Sequence, residues 1–396
     1  MDFRLTDEQE GVRRLVRDVV EKEVKPLAAH TDETGEFPWG PLRTMAGLGL
    51  LGLNVPESYG GAGADHVSAA ILVEEIGRGC GSTGLIVAAH LGLACGPLNK
   101  FGSEAQKQRF LVPLASGQAS RGGVAPSIGC LGLTEPGAGS DLAGGVRTLA
   151  EKRGDAWVIN GSKMWLTNGA EAKTAILLCR TDKAGGSRSL SQIIVPTDTP
   201  GLSFGKPERK MGLNGSHTYA VSIENVTVPL ENVLGREGYG LHQTLEALDG
   251  GRVAIGALSV GLAQAAYEAA VAYAKERKTF GKAIAEHQAI QEKIANMATT
   301  IEAARWLVYR AAWLRDQGQP FTLLAAQAKL FATEQAQQVI DAAVQMFGGR
   351  GVRRGEVAER LYREIRALRI YEGASEVQKL IIAREELKRA GQETAK

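Results

Sequence analysis

The sequence predicts a mainly α-helical protein with a central β-domain. Apolar residues follow a helical spacing up to about residue 117, short apolar runs separated by turns occupy about 129–240, and helical spacing returns after residue 241. A chain of 396 residues is too long for one compact core, and its 44% hydrophobic residues can fill two or three packed units. We therefore expect three domains, with bounds 1–128, 129–240 and 241–396.

The first domain is predicted to be helical. Its first helix carries acidic residues near its start, at Asp7 and Glu8, followed by apolar residues three and four apart: Val12, Leu15, Val16, Val19 and Val20. The segment 56–63 interrupts the pattern with a proline and three glycines. It has the glycines of a phosphate-binding loop but no Lys-Ser/Thr ending, so we interpret it as a turn.

The middle of the chain is predicted to form a small β-barrel domain. Turns rich in Gly, Asn and Pro separate its short apolar runs, which are 157–159, 175–178, 192–195 and 220–223. The last domain is predicted to be a four-helix bundle, because one apolar face persists over five turns at Ile290, Ile294, Met297, Ile301, Ala304 and Val308. We interpret the alanine-rich stretch 325–344 as ordinary helix.

Composition limits the classes of function. The net charge is only +2, from 46 basic and 44 acidic residues, and no long basic stripe is present, so we expect no nucleic-acid partner. The sequence has neither an 18-residue apolar stretch nor a start typical of a signal peptide. A cytoplasmic protein is therefore predicted. The scattered cysteines, with no histidine at ligand spacing, predict reduced thiols and no metal: Cys80, Cys95, Cys130 and Cys179.

A Glu-Gly turn near the C-terminus holds the first candidate catalytic group. Glu372 is flanked by Ile370 and Tyr371, and Gly373 lets the backbone approach a ligand closely. A carboxylate desolvated in this way has a raised pKa and is suited to act as a general base. The alternative is a solvated glutamate at the start of a helix, where acidic residues are common.

Two segments near the middle of the chain suggest a ligand site. In 134–141, Pro136 fixes a turn and two glycines expose N–H groups that can bind carbonyl or phosphate oxygens; the alternative is a bare connecting turn. Trp165 and Thr167 stand two apart on a predicted strand, so their side chains share one face. The alternative for the tryptophan is a place in the core.

Two further segments carry charged candidates. Arg277 follows a long predicted helix, where a guanidinium can bind a diphosphate with two hydrogen bonds; the alternative is an exposed basic helix end. In 249–252, two glycines break the helical pattern, while Asp249 and Arg252 lie three residues apart on one helical side. The alternative for this pair is an ion pair on the surface.

The order and spacing of these motifs resemble those of acyl-CoA dehydrogenases over nearly the whole chain. The resemblance is carried by segments 131–141 and 163–169, by Glu-Arg-Lys-Thr-Phe-Gly at 276–281, and by Phe-Gly-Gly-Arg-Gly at 347–351. It implies the helical, β and helical domain order, with flavin between the β-domain and the C-terminal bundle. It also implies FAD-dependent oxidation of a saturated acyl-CoA to a trans-2-enoyl-CoA.

The resemblance assigns roles to individual residues. Glu372 is the implied catalytic base, because the position where some relatives carry theirs is Gly251 here. The Glu372 N–H and a flavin hydroxyl are implied donors to the thioester oxygen. The implied substrate-binding residues are Ser140, Asp249, Arg252, Tyr371 and Gly373. The implied FAD-binding residues are Leu131, Leu133, Thr134, Gly139, Ser140, Trp165, Thr167, Arg277, Phe280, Gln288, Gln345, Gly348, Gly349, Ala374 and Glu376.

The resemblance also implies partners. In relatives the residue matching Arg277 reaches the flavin of a neighbouring subunit, so a homotetramer arranged as a dimer of dimers is expected, with an electron-transfer flavoprotein as electron acceptor. The alternatives are an acyl-CoA oxidase that uses dioxygen, which is typically a longer chain, and an inactive scaffold of the same fold. The pattern at 249–252 is closer to that of short-chain members.

Three features depart from the usual pattern of the family. Ala374 stands where many relatives have Thr, which puts one flavin contact in doubt, and Asn214 stands where an Arg is common, which could remove a structural ion pair. The link 118–128 is longer than usual. We favour a surface loop for this link; the alternative is a segment that modifies the acyl tunnel.

Overall fold

The computed structural model describes residues 4–117 and 125–393. The N-terminal domain is helical, as predicted, and π-helical turns at Val20–Val24, His90–Cys95 and Lys107–Leu111 extend some of its helices. Its α-helices are α1 (Asp7–Val19), α2 (Ala28–Thr34), α3 (Trp39–Gly47), α4 (His66–Gly79), α5 (Gly81–Ala89), α6 (Gly96–Phe101), α7 (Glu104–Gln106) and α8 (Val112–Ala115).

Local signals in the sequence set the starts of the important N-terminal helices. Thr6 and Gln9 form a reciprocal capping box at the start of α1. Asp65 caps α4 by accepting a hydrogen bond from the Ser68 N–H. Helix α4 is buried almost along its whole length because it packs between the N-terminal domain and the C-terminal helices. The segment 56–63 forms turns, including a short 3₁₀ helix at Glu57–Tyr59.

The middle domain is one curled seven-stranded sheet, and each predicted apolar run lies on a strand. The elements in chain order are β1 (Gly129–Gly132), α9 (Leu142–Gly145), β2 (Leu149–Arg153), β3 (Ala156–Thr167), β4 (Thr174–Arg180), β5 (Leu190–Pro196), β6 (Leu202–Phe204) and β7 (Thr218–Pro229). The strand order is β1-β4-β2-β3-β7-β6, and β5 pairs with β4. The long antiparallel pair β3–β7 contains two register shifts, and a bulge of this kind bends a strand and strengthens its twist.

The C-terminal domain is helical, with a small hairpin after its first helix. Its elements are α10 (Gly240–Glu276), β8 (Lys278–Thr279), β9 (Lys282–Ala283), α11 (Gln288–Asp316), α12 (Thr322–Phe347), α13 (Val357–Leu368) and α14 (Ser375–Glu393). The predicted apolar face of α11 is buried at Met297, Ile301, Ala304 and Val308. These residues join one core with α4, α10 and α12. The predicted fold class, helical domains on either side of a β-domain, is confirmed.

The prediction that glycines interrupt the helix at 249–252 is wrong. Helix α10 continues through Gly250 and Gly251 without a break. A Cβ at Gly250 would meet the guanidinium of Arg315, and a Cβ at Gly251 would overlap the carboxylate of Glu372. The glycines make room for side chains from neighbouring elements, so their role is close packing and not a change of backbone direction.

Asn214 has a partner in the structure. Its side-chain amide donates to the backbone carbonyl and the carboxylate of Asp32, over 2.8 and 3.1 Å. Asp32 also forms a partly buried ion pair with Arg363 of α13. Asp32 therefore keeps an ion pair, with Arg363, and Asn214 donates neutral hydrogen bonds to the same aspartate. The link 118–128, predicted to be a surface loop, lies largely outside the described residues, which exclude 118–124.

Two helical stretches, Gly81–Phe101 and Gly240–Glu276, are long and apolar enough to cross a membrane. In the structure 83% and 72% of their most apolar windows are buried inside the fold, which is typical of core helices. The four cysteines are all buried and free. Among the described residues, no group of three His, Cys, Asp or Glu side chains is arranged to hold a metal ion.

Candidate active site

Glu372 lies in a tight turn between α13 and α14. Its φ angle is +53° and that of Gly373 is +89°, so two consecutive residues adopt the left-handed conformation. This conformation is unfavourable for a residue with a side chain and requires support from its surroundings. The buried side chain of Gln378 gives part of that support, because its amide donates to the carbonyls of Glu372 and Gly373 over 3.2 and 2.8 Å.

The turn places the Glu372 carboxylate against α10. Its Oε2 atom is enclosed and has no hydrogen-bond partner among the described residues. The atom lies where a Cβ of Gly251 would stand, beside the side chain of Leu93. Burial raises the pKa of Glu372 to about 7, although the positive charges of Lys329 and Arg252 act in the opposite direction. The alternative of a solvated helix-start glutamate is therefore wrong.

Lys329 is a residue of this site that the sequence analysis missed. It lies on α12 with 0% of its surface exposed, and its ammonium donates to the carbonyl of Gly373 over 2.9 Å. Burial lowers its pKa to about 8, and the negative charge of Glu372 offsets part of that effect. A lysine on the apolar face of a predicted helix, among Ala325, Ala328 and Ala332, was the signal that could have identified it.

Asp249 and Arg252 form a buried ion pair beside Glu372. Arg252 Nη1 donates to Asp249, and the other carboxylate oxygen of Asp249 accepts from the Thr322 hydroxyl over 2.6 Å. Both residues are less than a tenth exposed, so the alternative of a surface ion pair is wrong. The Nε of Arg252 is enclosed without a partner among the described residues, so its N–H is available to a ligand.

Tyr371 stands next to the candidate base. Its hydroxyl is enclosed and has no hydrogen-bond partner within the described part of the chain. Burial raises the pKa of this hydroxyl well above its usual value, so the tyrosine is neutral. Ala374 and Glu376 complete the turn and the start of α14; Ala374 is half-buried and Glu376 is exposed.

The glycine-rich loop after β1 is attached to β3. The N–H of Met164 donates to the carbonyl of Thr134, which lies between Leu133 and Glu135. Lys163 of β3 is fully buried and donates to Glu135 over 2.8 Å and to the carbonyl of Leu133 over 3.2 Å. This buried ion pair, also missed from the sequence, fixes the loop to the strand. Leu131 is buried in β1, whereas Gly139 and Ser140 are exposed.

Trp165 and Thr167 lie at the end of β3, on both sides of the buried Leu166. Trp165 has a φ of +60° and lies in the register shift between Lys163 and Leu166. Its side chain is 54% exposed, so the alternative of a tryptophan in the core is wrong for this chain. Because Thr134 is hydrogen-bonded beside Trp165, at Met164, the structure brings the loop and the two strand residues together.

A third group of predicted residues lies at the C-terminal ends of α10 and α12 and in the segments that follow them. The two helix ends are joined by stacking of Tyr273 on Phe347, with ring centroids 4.6 Å apart. Phe280, in the hairpin between β8 and β9, is 97% exposed and has a φ of +48°. The other predicted members of this group are also exposed: Arg277, Gln288, Gln345, Gly348 and Gly349. Among the described residues they form no hydrogen bond or ring contact with the loop 131–140 or with Trp165.

Comparison with known proteins identifies the family of the chain. Three family models match in chain order: the N-terminal domain of acyl-CoA dehydrogenase at residues 6–118, its middle domain at 130–226 and its C-terminal domain at 238–387. The chain belongs to the acyl-CoA dehydrogenase family. Members of this family are oxidoreductases, and the enclosed carboxylate at Glu372 gives this acyl-CoA dehydrogenase a group able to accept a proton.

Similar proteins cover nearly the whole length of this acyl-CoA dehydrogenase. The probable acyl-CoA dehydrogenase YngJ of Bacillus subtilis is 50% identical over 98% of this chain and 100% of its own. The short-chain specific acyl-CoA dehydrogenase of Clostridium acetobutylicum is 45% identical over 97% and 99%. One chain from a structural study of the electron transferring flavoprotein of Acidaminococcus fermentans has a TM-score of 0.94 and is 40% identical. The match covers 98% of this chain and 100% of that chain.

Proposed function

We propose that this protein is an FAD-dependent dehydrogenase of short-chain acyl-CoA thioesters, in which Glu372 is the catalytic base. The observation that carries the proposal is the enclosed Oε2 of Glu372, which has no partner among the described residues and a pKa raised to about 7. A base with a pKa near the working pH is ionised often enough to act and still binds a proton strongly. Buried carboxylates that serve only structure are usually hydrogen-bonded.

The residues around Glu372 suit the removal of a proton next to a thioester carbonyl. Negative charge then develops on the thioester oxygen and needs hydrogen-bond donors. The N–H of Glu372 donates no hydrogen bond within the part of the chain that the structure describes, so it is free to donate to the thioester oxygen. Glu372 thus supplies the acceptor of the proton through its side chain and a donor to the oxygen through its backbone.

The predicted cofactor residues fit a flavin. Trp165 offers a half-exposed aromatic face, and the loop at Gly137 and Gly139 has no heavy atom within 4 Å of the positions where a Cβ would stand, so a ligand can approach its N–H groups. Arg277 is exposed and has no acidic partner among the described residues, so its guanidinium is free to bind a diphosphate. A bound FAD would supply the acceptor for the hydride that leaves the β-carbon of the substrate.

The two clusters of predicted flavin residues support an assembly of at least two subunits, as the predicted homotetramer requires. The cluster at Arg277 and Phe280 lies apart from the cluster at Trp165, and it is largely exposed in the single chain. Phe280 is 97% exposed in the single chain, and a neighbouring subunit that covered its ring would remove this apolar surface from water. One flavin bound across two subunits would then contact both clusters. The cytoplasmic location stays a prediction from the sequence.

The substrate class and the electron acceptor are supported by relatives. The similar protein from Clostridium acetobutylicum is short-chain specific, and a chain with a TM-score of 0.94 belongs to a structure on an electron transferring flavoprotein. We extend both properties to this protein. An acyl-CoA oxidase remains the rival enzyme, and an inactive scaffold is disfavoured by the retained base at Glu372.

The test is a series of anaerobic reductions of the bound flavin. Purified protein is mixed with saturated acyl-CoA thioesters of four, eight and sixteen acyl carbons, and bleaching of the flavin absorbance is followed. The fastest bleaching is expected with four carbons. Reoxidation is then compared between electron-transfer flavoprotein and dioxygen. No bleaching with any thioester would refute the dehydrogenase, and fast reoxidation by dioxygen alone would favour the oxidase.

A further inference from the structure

A lysine is enclosed at the centre of the candidate active site. Lys329 of α12 has no exposed surface, and its ammonium donates to the carbonyl of Gly373 over 2.9 Å. An ammonium ion loses its hydration when it is buried, and this loss destabilises the fold unless a polar or charged partner compensates for it. The group that compensates Lys329 therefore indicates what the lysine does.

Stabilisation of α14 does not explain the lysine. Gly373 stands two residues before α14 begins at Ser375, and the first turn of a helix carries partial positive charge from its peptide dipoles. A cation at this end is unfavourable for the helix. The carbonyl of Gly373 also accepts a hydrogen bond from Gln378, so the turn already has a neutral donor.

Glu372 stands one residue before the carbonyl that Lys329 holds, so its carboxylate belongs to the same turn. Its negative charge raises the pKa of Lys329, and the positive charge of Lys329 lowers the pKa of Glu372, in each case against the effect of burial. Within the described residues Lys329 forms no ion pair. The other charged groups that act on it come from each packed helix: Arg252 on α10, Glu334 on α12 and Glu376 on α14.

Two of these neighbours already have partners of opposite charge. Arg252 is paired with Asp249, and Glu334 is paired with Arg369 over 2.6 Å. Glu334 also accepts a hydrogen bond from the Ser375 hydroxyl over 2.5 Å. Helix α12 therefore holds the turn at its start (Arg369), at its end (Ser375) and at Gly373. Lys329 has no partner of opposite charge among the described residues, and its ammonium contacts the turn that carries the base.

We propose that Lys329 is a positioning residue for proton transfer, which holds the turn at Gly373 and places a buried positive charge near the Glu372 carboxylate. The inference rests on the proposed function, in which Glu372 accepts the proton. In that step the α C–H bond breaks, its electron pair stays on the substrate as the enolate, and an O–H bond forms on Glu372. Lys329 keeps its own proton throughout.

The test compares two variants with a matched control. Lys329→Met removes the charge and the donor but keeps most of the apolar stem, and Lys329→Gln keeps a neutral donor. Lys388→Met makes the same change at a lysine of α14 whose side chain is 60% exposed. For each holoenzyme, turnover of an acyl-CoA and exchange of its α-protons with D₂O are measured against pH, with folding checked by circular dichroism.

In the parent protein both rates are expected to rise with pH as Glu372 ionises. Loss of a nearby opposite charge raises the pKa of a carboxylate by about 1–3 units. In both Lys329 variants the midpoint should therefore move to higher pH by about that amount, with KM for the acyl-CoA unchanged. Lys388→Met should keep the parent midpoint.

Parent midpoints in both assays for a folded Lys329 variant would overturn the inference. If Lys329→Met does not fold, Lys329→Gln decides. A parent protein that neither turns over an acyl-CoA nor exchanges its α-protons would instead contradict the proposed function. That outcome is read from the parent alone, before any variant is compared.

Discussion

A Cβ added to Gly251 would overlap Oε2 of Glu372. The absence of a side chain on α10 therefore creates the space in which the carboxylate lies. Leu93 closes this space from the N-terminal domain, 3.3 Å from the same Cβ position. Residues 251 and 372 are thus coupled sterically, because a side chain at residue 251 and the carboxylate of Glu372 compete for one volume.

Gly251→Ala is expected to displace the base. The added methyl group forces the Glu372 carboxylate from its place, and loss of a positioned general base costs about 10²–10⁴-fold in rate. Overpacking of this kind also destabilises a core by about 1–3 kcal/mol. The control is Gly11→Ala on α1, where nothing lies within 4 Å of the added Cβ. Anaerobic flavin reduction at the parent rate in Gly251→Ala would show that the carboxylate does not need this space.

Exchanging the two residues tests whether the shared volume is sufficient for catalysis. In the double variant Glu372→Gly with Gly251→Glu, a carboxylate enters the same space from α10 and no side chain opposes it. We expect this variant to recover part of the flavin reduction that Glu372→Gly alone loses. Equal rates in the single and double variants would show that the approach from the turn at residue 372 is essential.

Arg277→Ala is expected to weaken flavin retention. The diphosphate loses a charged hydrogen-bond partner, which is worth about 1.5–3 kcal/mol. Lys278→Ala is the control, because it removes a neighbouring exposed positive charge from the same hairpin. Flavin occupancy is measured by absorbance after dialysis. Full occupancy in Arg277→Ala, or an equal loss in both variants, would contradict a specific role for Arg277.

The buried pair of Lys163 and Glu135 is expected to stabilise the protein strongly. Removing one partner of a buried ion pair costs about 3–5 kcal/mol, so Lys163→Met should lower the free energy of unfolding by that amount. The control Lys152→Met breaks the half-exposed pair with Glu237 and should cost about 0–1 kcal/mol. Urea unfolding at neutral pH compares the two variants, and equal losses would contradict the assignment.

The same pair gives a pH dependence of stability. Burial acts to raise the pKa of Glu135, but the charge and hydrogen bond of Lys163, with hydrogen bonds from Thr148 and Arg147, lower it overall. The ionised carboxylate is therefore favoured in the folded state. Its stabilisation is complete above the ordinary pKa of a glutamate and is lost as the pH falls through the lowered value. Lys163→Met should show a smaller loss of stability than the parent over this acidic range.

The sequence predicted the fold because the period of its apolar residues changes with each domain. The Glu-Gly turn made Glu372 a candidate base, and the family resemblance favoured it over a solvated glutamate at a helix start. The uninterrupted path of α10 through Gly250 and Gly251 was not predictable, because local preference disfavours glycine in a helix. The residues that need this space, Arg315 and Glu372, are distant in the sequence.

Lys329 and Lys163 were missed for a related reason. Each is a charged residue whose partner comes from another element: Gly373 for Lys329, and Glu135 for Lys163. A single lysine within an alanine-rich helix or a strand is ordinarily exposed, so its pattern alone predicts a solvated side chain. Only the packing of α12 against the turn, and of the loop against β3, shows that both ammonium groups are enclosed.

The measurement that tests the central claim most directly is anaerobic flavin reduction by Glu372→Gln. The amide keeps the size and hydrogen bonding of the side chain but cannot accept the proton, so flavin and enoyl-CoA should still bind. The reduction rate should fall by at least about 10²–10⁴-fold at every pH, whereas the parent rate should rise with pH through a pKa of about 7. Reduction of Glu372→Gln at the parent rate by any acyl-CoA that the parent oxidises would contradict the assignment of Glu372 as the base.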